Sequence, residues 1–135
     1  MTINSSAAEK IVEDILSSNV EILSAGVIDR SGNIIADKSS ESFGKRFEGV
    51  RNLEHNRYSG TLAIAALSIA TEVKDAFGEP QALITIYRDC KLMLLPVPLY
   101  DILIGLALEL SANVENNNNT FGKEIERLVA NILKP

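Results

Sequence analysis

The chain has 135 residues, 46% apolar and 23% charged, and this fits one domain, residues 1–135, with a core large enough to fold without staples. A formal net charge of −5 and 13 scattered Lys and Arg residues exclude the clustered basic surface that nucleic-acid binding requires. One cysteine, Cys90, excludes an internal disulfide and a multi-cysteine metal site and points to a reduced compartment.

The opening MTINSSAAEK lacks the basic-then-apolar pattern of a secretory signal, so the expectation is a cytoplasmic protein. Ser6 and Glu9 have capping-box spacing, and Ala8, Ile11, Val12, Ile15 and Leu16 fall on one face, which predicts a helix over about Ser6 to Ser18. Val20 to Asp29 reads as a strand, with Gly26 marking a bulge or a close neighbour. Asp29-Arg30-Ser31-Gly32 has turn chemistry, and Asn33 to Asp37 returns as a short strand, completing a hairpin.

Lys38 to Asn56 is polar and long for a connection, a kind of segment that often carries function. Phe43, Phe47 and Val50 fall at i, i+4 and i+7 and suggest a helical turn within it. Phe43, Phe47 and Tyr58 stand in or beside this polar stretch, and two readings stay open: anchors for a partner, or a lid folded onto the sheet. Lys45, Arg46, Arg51 and Arg57 supply the local positive charge, amid Glu41, Glu48 and Glu54. From Arg57 a helical stripe follows through Tyr58, Leu62, Ala65, Ala66, Ile69, Val73 and Ala76, widened by Ala63, Ile64 and Leu67. Apolar residues on two sides predict burial on two sides, one of them against a partner chain. Gly78 and Pro80 end this helix.

Ala82 to Arg88 reads as a strand, Asp89-Cys90 as a turn, and Lys91 to Val97 as the next strand, whose end is kept out of a fully paired ladder by Pro96 and Pro98. Ile102 to Leu110 reads as a third strand, with a helix as the alternative. Its apolar stretch, Ile102 to Leu108, is far too short to span a bilayer. After an asparagine-rich connection, Thr120 is placed to cap a last helix with Ile125, Leu128, Val129 and Ile132 on its apolar face. The order α-β-β-α-β-β-β-α with short turns predicts an α+β fold, a five-stranded antiparallel sheet flanked by helices.

The amphipathic first helix, the hairpin GVIDRSGNIIADK (Gly26 to Lys38), the alanine-rich helix Thr61 to Phe77 and the meander Ala82 to Leu110 together resemble the roadblock/LC7 family, a branch of the profilin- and longin-like folds. The resemblance covers essentially the whole chain and rests on architecture. It implies a homodimer built on the central helix and the edge strand, with Ile64, Leu67, Thr71, Leu83, Thr85 and Tyr87 at the interface. It also implies a role as an adaptor, or as a regulator of a small Ras-like GTPase; the residues of the polar stretch themselves offer Phe43, Arg46, Phe47, Arg51 and Tyr58 as a surface for such a partner. The long Lys38 to Asn56 loop and the prolines after Leu95 depart from the family pattern.

The chain offers little catalytic chemistry. It has no Walker A loop and no G-x-S-x-G element, and His55 is its one histidine. Cys90 has no resolving cysteine, and its neighbours Lys91 and Asp89 would pull its pKa in opposite directions. Asp29 and Asp37 could resemble a metal pair, but the turn accounts for Asp29. Tyr100 and Asp101, beside the two prolines, read as a turn or as the lining of a groove. No cofactor and no metal is expected, and the reading is a non-enzymatic interaction module. The alternative is a PAS- or profilin-like sensory domain with a cavity lined by Leu83, Ile86, Leu92, Leu94 and the central helix.

Overall fold

The computed structural model describes residues 3–47, 64, 65, 67, 68, 71–115 and 120–134. Helix α1 spans Ser5–Ser18 and starts two residues earlier than the Ser6 capping box predicts. Asn4 takes the cap: its Oδ1 accepts the Ala7 N–H at 2.8 Å, which leaves Ser5 and Ser6 inside the helix. Ala8, Ile11, Val12 and Ile15 are buried, as their spacing requires. Strand β1 is Ile22–Asp29 and excludes Val20, which is exposed. The Asn19 side chain accepts the Glu21 N–H at 2.8 Å, and the Asn19 carbonyl accepts the Ile22 N–H at 3.1 Å, so a tight turn occupies the residues before the strand.

Strand β2, Ile34–Ser39, returns antiparallel to β1. The turn between them is fixed by Asp29, whose carboxylate accepts the N–H groups of Ser31 and Asn33, each at 2.9 Å, and the Asn33 side-chain amide at 3.2 Å. Gly32 supplies the positive φ, 88°. The β1–β2 bulge lies between Val27 and Ile28, next to Gly26 and not at it. Helix α2, Glu41–Arg46, follows at once, capped by Ser40 Oγ on the Phe43 N–H at 3.1 Å.

Ile64, Ala65, Leu67, Ser68 and Thr71 are helical, and after a turn at Glu72–Val73 the short α3, Lys74–Phe77, completes this region. Thr71 Oγ1 donates to the Leu67 carbonyl at 2.7 Å, a back-bond that competes with the helix ladder and bends helices. The helix expected to run unbroken to Phe77 is therefore corrected: the turn at Glu72–Val73 interrupts it. Gly78, at φ 87°, closes α3. Strands β3 (Leu83–Ile86), β4 (Lys91–Val97) and β5 (Ile102–Leu108) form the meander, with a 3₁₀ turn at Pro98–Tyr100 between the last two. Ile102–Leu108 is a strand, which settles the strand-or-helix choice there. Helix α4 spans Thr120–Leu133, with Thr120 as its first residue.

The five strands are antiparallel in the order β2-β1-β5-β4-β3, so β2 and β3 are the edges. One face, here the inner face, carries Ile22, Ala25, Val27, Met93, Leu95, Val97, Ile104, Leu106 and Leu108 and packs on α1 and α4. The other, outer face carries two smaller clusters. Leu23 and Ala107 pack with Phe43 of α2, and Ile28 and Leu103 pack with Ile34, Leu94, Ile64 and Leu67. The fold is α+β, with helices on both faces of one antiparallel sheet. Among the described residues no helix is long and apolar enough to cross a membrane.

Candidate interaction surface on the outer face

Strand alternation decides what the β3 edge presents. Ala82 and Ile84 pack into the inner core, so Leu83, Thr85 and Tyr87 point to the outer face. There Leu83 pairs with Leu94 and Thr85 with Leu92. Thr85 is exposed, Tyr87 is half exposed and Leu92 is partly exposed, giving an apolar strip at an open sheet edge. Ile86 lies on the inner side and is exposed at 60%, because the strand outruns the core there. Leu83, Leu92 and Leu94 therefore share a face and Ile86 does not, so the four cannot line a single ligand cavity.

The expected interface set is divided between two places. Leu83, Thr85 and Tyr87 lie on the edge strip. Ile64 and Leu67 are half-buried against their own sheet, and Thr71 stands with them above a cleft at the far end of β4. This cleft has a volume of about 720 Å³ and lies between the central helical stretch and the corner from Pro96 to Leu103. Asp101 lines it, as the groove reading of that turn anticipates. It adopts a left-handed conformation, φ 60°, and its carboxylate pairs with Arg30 of the β1–β2 turn. Tyr100 instead packs against the inner core.

The prolines explain where β3 stops. The Tyr87 N–H donates to the Cys90 carbonyl at 2.8 Å, which sets the alternation of the hairpin. Cys90, Leu92 and Leu94 then face β3 with their backbone groups, and position 96 is next in that series. Pro96 has no N–H to give, and the β3–β4 ladder ends at Leu83 and Leu94 while β4–β5 pairing continues to Val97.

At the opposite end of the outer face, α2 is held down by Arg46. Its guanidinium pairs with Glu109 and donates to the Asp89 carbonyl at 3.2 Å, while its Cζ lies 5.2 Å from the Phe47 ring centre. Arg46 is thus engaged within its own chain. Phe43 is buried between Leu23 and Ala107, with the Phe47 ring 5.1 Å away. Of the two readings for Phe43, the lid holds, and the buried ring is withdrawn from the partner surface. Phe47 stays half-exposed. Arg51, Tyr58, Arg57 and His55 lie outside the described residues, as do Val50 and the start of the central helix.

Cys90 and Lys91 depart from the sequence reading, and Asp29 follows it. Burial pushes the Cys90 thiol up and Asp89 adds to this, outweighing the nearby Arg46 guanidinium. Lys91 does not approach the thiol. It lies on the inner face, 7% exposed, and donates to the Ala112 carbonyl at 2.7 Å and to both Glu115 carboxylate oxygens at 2.9 and 3.1 Å. Asp29 is opposed by desolvation, but the amides of Asn33, Ser31 and Gly32 outweigh it and hold the carboxyl below its usual value. Its oxygens are thus committed to the turn, and among the described residues no cluster of His, Cys, Asp or Glu could hold a metal ion.

Comparison with solved structures identifies the fold. A roadblock/LC7 domain from Streptomyces avermitilis superposes with a TM-score of 0.68 at 11% identity, covering 92% of each chain. The gliding protein MglB from Thermus thermophilus gives 0.69 at 18% identity, over 95% of this chain and 89% of that one. MglB from Myxococcus xanthus gives 0.66 at 8% identity, over 100% and 96%. The chain has the roadblock/LC7 fold. No protein-family model and no curated protein matches its sequence.

Proposed function

We propose that residues 1–135 form one roadblock-type domain that self-associates through its β3 edge and acts, without catalysis of its own, as a regulator or scaffold for a small Ras-like GTPase in the cytoplasm. The observation that carries this reading is the β3 edge. Among the described residues it is unpaired on the side away from β4, and it presents Leu83, Thr85 and Tyr87 on one face with Leu92 of β4 beside them. An edge strand with an apolar flank is a template for pairing with a second strand, and a second copy of β3 would satisfy its backbone and cover its side chains. One solved MglB with this fold has a tetrameric arrangement; it matches at 15% identity with a TM-score of 0.66 over 98% of this chain and 97% of that one. Self-association is therefore at home in the architecture. The GTPase reading rests on the roadblock fold together with the absence of a Walker A loop in the sequence: the chain would bias another protein's nucleotide switch by binding one of its states more tightly.

The test is solution mass by light scattering over a wide concentration range, for the wild type and for Thr85→Glu/Tyr87→Glu. Both side chains are exposed, so the variant keeps its fold, and placing like charges across the edge separates the copies. A dimer that the variant splits into folded monomers supports the reading. A wild type that stays monomeric overturns it. The GTPase part is checked by titrating the dimer with each small GTPase of the same organism, loaded with GTP analogue or GDP, where equal or absent binding to both forms overturns it.

A further inference from the structure

We propose that the cleft between the central helical stretch and the Pro96–Leu103 corner docks a basic–apolar segment of a partner protein, an apolar side chain flanked by Lys or Arg. This goes beyond self-association, because the cleft lies past the end of β3 and uses none of the edge residues. Its floor is apolar. Leu67 and Ile64 meet Leu103 there, and Pro96 and Pro98 form the adjoining wall. A space of about 720 Å³ is large enough for several side chains, and a sheltered apolar floor is the kind of place where an anchor residue is desolvated.

The rim fixes the charge of the segment. Among the described residues both basic side chains at the cleft are already matched, Arg30 by Asp101 and Lys74 by Glu79 at 3.7 Å. Glu72 and Asp75, exposed on the helical wall, have no side-chain hydrogen bond or ion pair among the described residues. The uncompensated charge that the described residues place at the mouth is therefore negative, in a chain of net charge −5. Such a rim speeds the approach of a cationic segment and repels an acidic one. Recognition through an added strand is closed off, because Pro96 removes the N–H that would donate from this edge of β4. Side-chain insertion between charged walls remains.

The experiment uses the full chain and two fluorescein-labelled pentapeptides, Lys-Arg-Leu-Lys-Arg and Glu-Asp-Leu-Glu-Asp. Binding is read by anisotropy, and its location by methyl NMR shifts at Leu67, Ile102 and Leu103. The basic peptide is expected to bind with sub-millimolar affinity and to shift these methyls, and the acidic one to do neither. The variant Glu72→Lys/Asp75→Lys, changed only at exposed positions, is expected to weaken the basic peptide by about tenfold or more and to favour the acidic one, with added salt flattening both effects. The proposal is overturned if the basic peptide does not bind, if charge reversal leaves its affinity unchanged, or if the shifted methyls lie on the β3 edge. It is also overturned if Glu72→Lys/Asp75→Lys changes the solution mass, since the cleft would then be filled by a second copy. The β3 test above reads mass alone, so the two proposals fail separately.

Discussion

The two faces of the sheet are built from similar residues and put them to different use. On the inner face Ile15, Val27, Ile104, Leu108 and Val129 have no more than trace exposure, and α1 and α4 cover the sheet with one continuous core. On the outer face the apolar residues divide into two small clusters at opposite ends, with part-exposed Leu92, Leu94 and Tyr87 towards the β3 edge. The glycine pair Gly26–Gly105 separates β1 and β5 from any side-chain ridge at mid-face. A methyl at Gly105 would meet the Ile28 Cδ1 at 3.4 Å, so Ile28 already leans over that gap. The inner face covers its apolar residues except Ile86, and the outer face leaves part of its apolar surface exposed.

Truncating one residue on each face separates these roles. Ile104→Ala removes a fully buried side chain packed in the inner core and is expected to cost about 2–5 kcal/mol in chemical denaturation. Leu92→Ala, on a residue 39% exposed, is expected to cost under about 1 kcal/mol while weakening self-association at the β3 edge. Equal stability losses would mean that the outer face is as much a core as the inner one, and the comparison would fail.

The same contrast governs what could be read from the sequence. Features set by local chemistry were legible: the Asp29 turn, the helix stop at Gly78 and the apolar stripe of α4. The first cap was misplaced because Asn4, Ser5 and Ser6 are all competent caps, and only the three-dimensional start of α1 chooses among them. Phe43 and Phe47 signalled a helical turn by their spacing. That Phe43 would be buried depended on Leu23 and Ala107, which are distant in sequence. Lys91 was read as a neighbour of Cys90 because KLMLLPV is apolar on both alternating sets and carries no phase. The β3–β4 hairpin register assigns Lys91 to the inner face with Met93 and Leu95. The cleft gave a partial signal through Asp101 and the two prolines, but its other wall is a helix brought there by tertiary packing.

Lys91 is the one charged residue among the buried side chains described, and it tests whether the inner face tolerates a polar tie. Lys91→Ala leaves the Ala112 carbonyl without its donor and opens space beside the core. The expected loss is about 1–3 kcal/mol, smaller than for Ile104→Ala, because Glu115 can turn to water. Denaturation midpoints of the two variants check that ranking.

The smallest expected effect is pH-dependent and lies at the same tie. The Lys91 ammonium donates to Glu115 and, against the cost of desolvation, holds its carboxyl below the ordinary value of 4.5. A carboxyl depressed in the folded state stabilises the fold above its unfolded pKa. As pH falls below that value the unfolded chain takes up a proton first, so the contribution shrinks, and it is gone once pH passes below the folded pKa. Glu115→Gln should therefore lower the urea midpoint slightly near neutrality and match the wild type in strong acid. Lys91 keeps its bond to the Ala112 carbonyl throughout, so the variant should retain α4 by circular dichroism. A gap between wild type and variant that stays constant from neutral to acid pH would show that Glu115 acts by packing alone. The tie between β4 and the segment leading into α4 would then be one of shape and not of charge.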